Sequence, residues 1–172
     1  CADPVYGRGY PADMVKHYSN QGAFPNDMDF VKDGDMKVIA APTDFVGLNY
    51  YGRNLHRVDA PNNDPQIDFP LPKTPEHWTE MDWENYPDGL TGSLARVYFD
   101  YLPRKIYITE NGASYSTPPD EKGNVPDVHR TNYLKTHFAA AHRAMQAGVP
   151  LAGYFVWSLM DNFEWSFGYG QR

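Results

Sequence analysis

Three short apolar runs, at residues 44–51, 105–109 and 152–158, alternate with stretches of helical periodicity. That alternation limits the fold more than any other feature, because βα repeats with short buried strands predict a parallel sheet with right-handed crossovers. The first run, Asp44-Phe45-Val46-Gly47-Leu48-Asn49-Tyr50-Tyr51, is bounded by Pro42 and Gly52. After it, Leu90, Leu94, Val97, Tyr98 and Tyr101 fall on one helical face, which starts near Pro87-Asp88 and stops at Pro103. Before the third run, Leu134, Phe138, Ala141 and Met145 mark a helix over 130–147, ended by Gly148 and Pro150.

The remainder is rich in turns. Residues 1–34 carry short helices expected at 12–19 and 27–31. Residues 53–87, with six prolines (Pro61, Pro65, Pro70, Pro72, Pro75 and Pro87), read as a long surface excursion with a small hairpin. A chain of 172 residues can bury one core, so one domain over 1–172 is expected. The net charge of -7 and the lack of a Lys/Arg run argue against nucleic acid and favour a neutral or cationic small substrate. No apolar stretch of about 18 residues exists, so no membrane helix is expected. Cys1 is the only cysteine, and no Asn-x-Ser/Thr sequon occurs; both fit a reducing, cytoplasmic setting. The N-terminus has neither a signal-peptide pattern nor an initiator Met, so the start of the gene product is expected to lie upstream.

The polar residues of interest cluster at strand C-termini. Asn49 and Tyr51, two apart on one strand, project to the same side. Glu110 sits where Ile106-Tyr107-Ile108 runs into Thr109-Glu110-Asn111-Gly112. Beyond the last strand comes Trp157-Ser158-Leu159-Met160-Asp161-Asn162-Phe163-Glu164-Trp165. Barrels and open sheets both bind ligands at strand C-termini, but no Gly-rich phosphate turn is present. Carboxylates there, with indoles nearby, are the parts needed to hold a sugar and attack its anomeric carbon. The plainer reading of each feature is structural: Glu-Asn-Gly as a cap beside a turn, and the aromatics (15 % of residues) as core filling.

Taken in order and spacing, these segments resemble glycoside hydrolase family 1, the retaining β-glucosidases and their relatives. The resemblance implies an α/β fold, the C-terminal part of a (β/α)₈ TIM barrel from about strand six to strand eight. It casts Glu110 as the nucleophile and Tyr51 as the phenol that keeps Glu110 ionised and oriented. Asn49 would hydrogen-bond a sugar hydroxyl or the acid/base group. Glu164 would take the sugar's O4 and O6, Trp165 would reach O3, and Trp157 would lie under the ring. Trp83, in Thr79-Glu80-Met81-Asp82-Trp83-Glu84, would wall the leaving-group site, although the family usually has Gly where Asp82 stands. Asp127 and Arg130 follow the pattern as a structural ion pair. A carboxylate at Glu164 would repel a 6-phosphate and disfavours the 6-phospho-β-glycosidase branch. No cofactor or metal is implied.

The resemblance also implies an Asn-Glu-Pro acid/base motif, and none occurs here. The expected partners are therefore a β-glycoside substrate, such as an aryl or alkyl β-glucoside or a cello-oligosaccharide, and an N-terminal part that supplies the missing carboxyl and closes the barrel. The chain is expected to be a proteolytic fragment, one part of a split enzyme, or a longer protein seen in part, and inactive alone. Two other readings compete with catalysis. A carbohydrate-binding module would keep Trp157, Glu164 and Trp165 but has no need of Glu110. A non-catalytic relic of the fold would have lost these polar residues first.

Overall fold

A computed structural model describes residues 2–24, 28–55 and 71–171, which fall into two compact units, Cys1–Asp44 and Phe45–Arg172. In the first, a 3-10 turn at Asp3–Tyr6 is followed by helices α1 (Ala12–Asn20) and α2 (Asp35–Ile39). The expected helix at 27–31 does not form where it can be followed. Asp27 lies outside the described residues, and Met28 adopts φ 64°, which no right-handed helix accommodates. The short helix comes later, after Gly34 turns the chain at φ 94°.

The second unit runs β1 (Val46–Asn49), α3 (Pro87–Tyr101), β2 (Ile106–Asn111), α4 (Val128–Gln146) and β3 (Leu151–Val156). The strands pair in parallel in the order β1-β2-β3, so β2 is central and the other two are edges. Pro87 opens α3, where its missing N–H costs nothing. Leu102 ends it in the left-handed region at φ 50°, just before Pro103. Gly148, at φ 94°, turns the chain from α4 into β3.

One face of the sheet is covered and the other is open. Ile106 and Ile108 point to the helices and are fully buried, with Tyr50, Leu90, Leu94, Ala140, Ala141, Ala144 and Val149 around them. Full burial of such aliphatic side chains stabilises by roughly 1.5–3 kcal/mol each. The intervening residues point the other way, where Phe45, Tyr107 and Phe155 form a row of rings with centroids 5.3 and 6.5 Å apart. Among the described residues of this unit no helix covers that row, and Phe45 and Phe155 are more than half exposed.

Tyr50 faces the helices, as expected of a core residue, and donates from its hydroxyl to the Tyr86 carbonyl at 2.6 Å. Strand β1 is shorter than the expected 44–51, and its register shifts between Leu48 and Asn49. Pairing continues past it through Tyr50 N–H and the Glu110 carbonyl at 3.0 Å. The α3 stripe is as read, with Leu90 and Leu94 fully buried. The α4 stripe is as read only at Ala141. Its buried face is Tyr133, His137, Ala140, Ala141 and Ala144, whereas Phe138 and Met145 are about half exposed. Three alanines let α4 approach α3 closely enough for Thr91 Oγ1 to reach the Ala140 carbonyl at 2.9 Å. The larger apolar side chains are left on the flank, where Phe138 meets Tyr154 edge-on at 4.8 Å.

The 53–87 excursion is partly interior. Residues 56–70, with Pro61, Pro65 and Pro70, lie outside the described set. Beyond them Trp78 and Glu84 pair antiparallel in a narrow hairpin, and Trp78, Thr79 and Glu84 are buried.

Candidate active site

Strand β2 delivers Glu110 to the C-terminal end of the sheet. The carboxylate accepts a hydrogen bond from the Tyr51 hydroxyl at 2.7 Å. Burial above all, then that bond, then the charges of Glu110 and Glu164 hold the Tyr51 phenol well above the ordinary tyrosine range. Tyr51 is therefore a fixed donor that keeps its proton. Its ring packs against Trp83 at 5.1 Å, which brings the expected leaving-group wall beside the expected nucleophile. Asn49 lies next to Glu110 in the register, but its side-chain oxygen is taken by the Thr109 hydroxyl at 2.7 Å.

The second group arrives from β3. Trp157 N–H donates to the Asn111 carbonyl at 2.9 Å, which ties the end of β3 to the end of β2. The contact is close: a Cβ at Gly112 would lie 1.9 Å from the Trp157 carbonyl oxygen, so only glycine fits. The Trp157–Ser158 peptide bond is cis. Trp157 Nε1 faces Glu164 Oε2 at 3.5 Å, the limit of a hydrogen bond. Trp165 opens a 3-10 turn at φ 44° and is 82 % exposed. The structure thus joins Glu110, Tyr51 and Trp83 directly and pairs Trp157 with Glu164, whereas Trp165 stands outward.

Asn111 is the residue that sequence reasoning missed. It is fully buried, and its amide donates to the Tyr50 carbonyl at 2.7 Å and to the Tyr133 hydroxyl at 3.1 Å. Its oxygen accepts from the Tyr154 hydroxyl. Tyr133 in turn donates to the Tyr51 carbonyl at 3.2 Å. One amide therefore links the ends of all three strands and α4 beneath Glu110. The signal was present: Asn111 follows Glu110, so strand alternation turns it toward the helices, where a polar side chain must be satisfied.

Asp82 explains its own departure from glycine. It adopts φ 58°, a conformation glycine takes freely and Asp tolerates. Its carboxylate pairs with Lys73, whose ammonium lies 3.4 Å from the Trp78 ring centroid. Arg130 pairs with Asp127 and donates to the carbonyls of Ala113 and Tyr115 at 3.1 and 2.8 Å. That ion pair is structural, as expected, and fastens the loop after β2 to the start of α4. Beside Trp83 opens a cleft of about 540 Å³, whose walls include Tyr51, Arg53, Trp78 and Glu84. Among the described residues no group of three or more His, Cys, Asp or Glu could hold a metal ion, and no helix is long and apolar enough to cross a membrane.

Parallel strands in chain order, linked by helices and carrying carboxylates and indoles at their C-terminal ends, define part of a (β/α)₈ barrel. The chain belongs to glycosyl hydrolase family 1, whose sequence pattern matches residues 1–172. It is 42 % identical over 172 residues to β-glucosidase A of Thermotoga maritima, covering 99 % of this chain and 36 % of that protein. It is 42 % identical over 170 residues to a 1,4-β-D-glucan glucohydrolase of Thermotoga neapolitana, covering 99 % of this chain and 38 % of that protein. The solved Thermotoga maritima enzyme in complex with castanospermine superposes with a TM-score of 0.82 at 39 % identity, over 99 % of this chain and 36 % of that one. The chain thus spans little more than a third of the length of these relatives.

Proposed function

We propose that residues 1–172 form the nucleophile-bearing part of a retaining β-glucosidase, one portion of a single (β/α)₈ domain. The observation that carries this reading is Glu110 at a parallel-strand terminus, held by the Tyr51 hydroxyl at 2.7 Å with Trp83 against Tyr51. A retaining mechanism needs a carboxylate fixed beside the anomeric carbon and a second carboxyl about 5–5.5 Å away. Glu110 attacks that carbon while the second carboxyl protonates the departing oxygen. Water, deprotonated by the same group, then displaces Glu110 and leaves the configuration retained. The second carboxyl comes from an N-terminal part of the enzyme, which also covers the open face of the sheet.

Trp157 and Glu164 take the glycone: the ring stacks on the indole and the hydroxyls bond the carboxylate. Trp165, held at a positive φ that bulky residues rarely adopt, suits a third contact to the sugar. The substrate class is β-glucosides and cello-oligosaccharides. This fits the names of the relatives, β-glucosidase and 1,4-β-D-glucan glucohydrolase. A carbohydrate-binding role without catalysis would leave the Tyr51–Glu110 bond without a purpose.

The test is Glu110→Gly in the full-length enzyme that carries this chain. Turnover of an aryl β-glucoside is expected to stop, and added azide to restore it with formation of an α-linked azide adduct. Full residual activity would remove Glu110 from the nucleophile role.

A further inference from the structure

Trp83 is 39 % exposed, so its own burial does not fix it in place. What lies behind it does. Glu84, the next residue, has a side chain only 1 % exposed, and its two oxygens accept from Nε and Nη2 of Arg53 at 2.7 and 3.0 Å. The Arg53 guanidinium also lies over the Tyr86 ring at 3.9 Å. A carboxylate this deep needs a hydrogen-bonding partner of matched geometry, and the guanidinium fork supplies it. Arg53 is two residues beyond Tyr51, whose hydroxyl holds Glu110.

The backbone reinforces the tie. A Cβ at Gly52 would lie 2.8 Å from the Glu84 carbonyl oxygen, so the end of β1 runs directly against the hairpin. Within that hairpin Thr79 N–H donates to the Trp83 carbonyl at 2.9 Å, and Asn85 N–H to the His77 carbonyl at 2.8 Å. The hairpin is internally braced, and the Arg53–Glu84 pair joins it to the segment after β1 that carries Tyr51.

We propose that Arg53 and Glu84 are a positioning pair that holds the Trp83 wall against Tyr51 and so sets how the site discriminates between leaving groups. The proposal rests on the reading of Trp83 as the leaving-group wall. Neither residue need touch the substrate's reacting atoms. Loosening the pair lets Trp83 swing from the departing group while Glu110 keeps its bond to Tyr51.

The experiment compares Glu84→Gln and Arg53→Lys with the unmodified full-length enzyme, using p-nitrophenyl and methyl β-glucosides. Gln keeps the shape and removes the charge; Lys keeps the charge and loses the fork. The ratio of the two kcat/KM values is expected to fall about tenfold in Glu84→Gln and less in Arg53→Lys, within the range that residues in contact commonly couple. An equal loss on both substrates would make the pair merely structural and overturn the proposal. A second readout does not need turnover: amide exchange at Thr79 and Asp82 should quicken in Glu84→Gln while β2 amides keep their protection. Unchanged exchange at those two amides would also overturn it. If Trp83→Ala itself fails to shift the substrate ratio while exchange still quickens, the wall assignment fails and not the tether.

Discussion

Each key side chain is held by a neighbour rather than by burial alone. Glu164 illustrates this: it is half-buried, faces Trp157 Nε1 at 3.5 Å, and accepts no closer bond from that indole. Its carboxylate has capacity for sugar hydroxyls. Glu164→Ala is expected to lower kcat/KM on β-glucosides by up to about 10⁴-fold, the scale reached when a buried polar group loses its partner. Far-UV dichroism and the melting temperature should change little. A variant that unfolds, or one with unchanged kinetics, would return Glu164 to a structural role. Glu110, Tyr51 and Trp83 stand out in the sequence as candidates because their motifs have fixed chemistry and order. The Tyr51–Glu110 contact was legible too, but the Tyr51–Trp83 contact was not, since those two residues are far apart in sequence and meet only through the hairpin. The role of Asn111 was not legible, because its partners come from three other segments that only tertiary packing brings behind Glu110.

At the scale of elements, α4 shows where hydrophobic periodicity misleads. The sequence offers Leu134, Phe138, Ala141 and Met145 as the inward stripe, yet the buried line is Tyr133, His137, Ala140, Ala141 and Ala144, and the two share only Ala141. Helix packing selected small residues for close approach and placed polar tips where partners exist. His137 is fully buried and stacks on Tyr133 at 3.9 Å. Its Nδ1 bonds the Tyr133 carbonyl at 2.8 Å, and since a carbonyl only accepts, Nδ1 carries the proton. Burial moves its pKa from 6.5 down to about 4. In that interval the unfolded chain binds the proton and the folded one does not, so stability is full above the upper value and falls as pH drops toward the lower. The loss amounts to ~3 kcal/mol by linkage. Urea unfolding of the full-length enzyme at pH 7 and pH 4.5 should show a smaller acid loss in His137→Leu than in the unmodified protein. Identical losses would mean that His137 does not carry the effect. The parallel sheet and α3, by contrast, were readable, because strand runs bounded by Pro and Gly and a clean stripe at Leu90 and Leu94 agree with tertiary packing.

For the molecule as a whole, the three strands among the described residues form a sheet covered on one side by α3 and α4, and they cannot close a barrel that takes eight. Among the described residues Phe45 and Phe155 then meet water, and β1 and β3 are the unpaired edges of the sheet. Residues 1–172 expressed alone are expected to be inactive on aryl β-glycosides and aggregated or loosely packed, with strong binding of a hydrophobic dye. A chain supplying the earlier strands and an Asn-Glu-Pro carboxyl should restore folding and activity together, placing that carboxyl about 5 Å from Glu110. A monodisperse, active isolated chain would overturn the division of the site.

Those two bare edges also have a kinetic meaning. Every strand edge accepts any extended backbone, so β1 and β3 can zip onto another copy of this polypeptide as readily as onto the proper complement. When the complement is on the same polypeptide, its local concentration reaches about the millimolar range and exceeds that of strangers. Supplied separately, it has no such advantage, and self-pairing scales with the amount of polypeptide present. Reassembly from two pieces therefore becomes a race decided by stoichiometry and dilution, in which excess complement and dilute polypeptide favour the closed barrel.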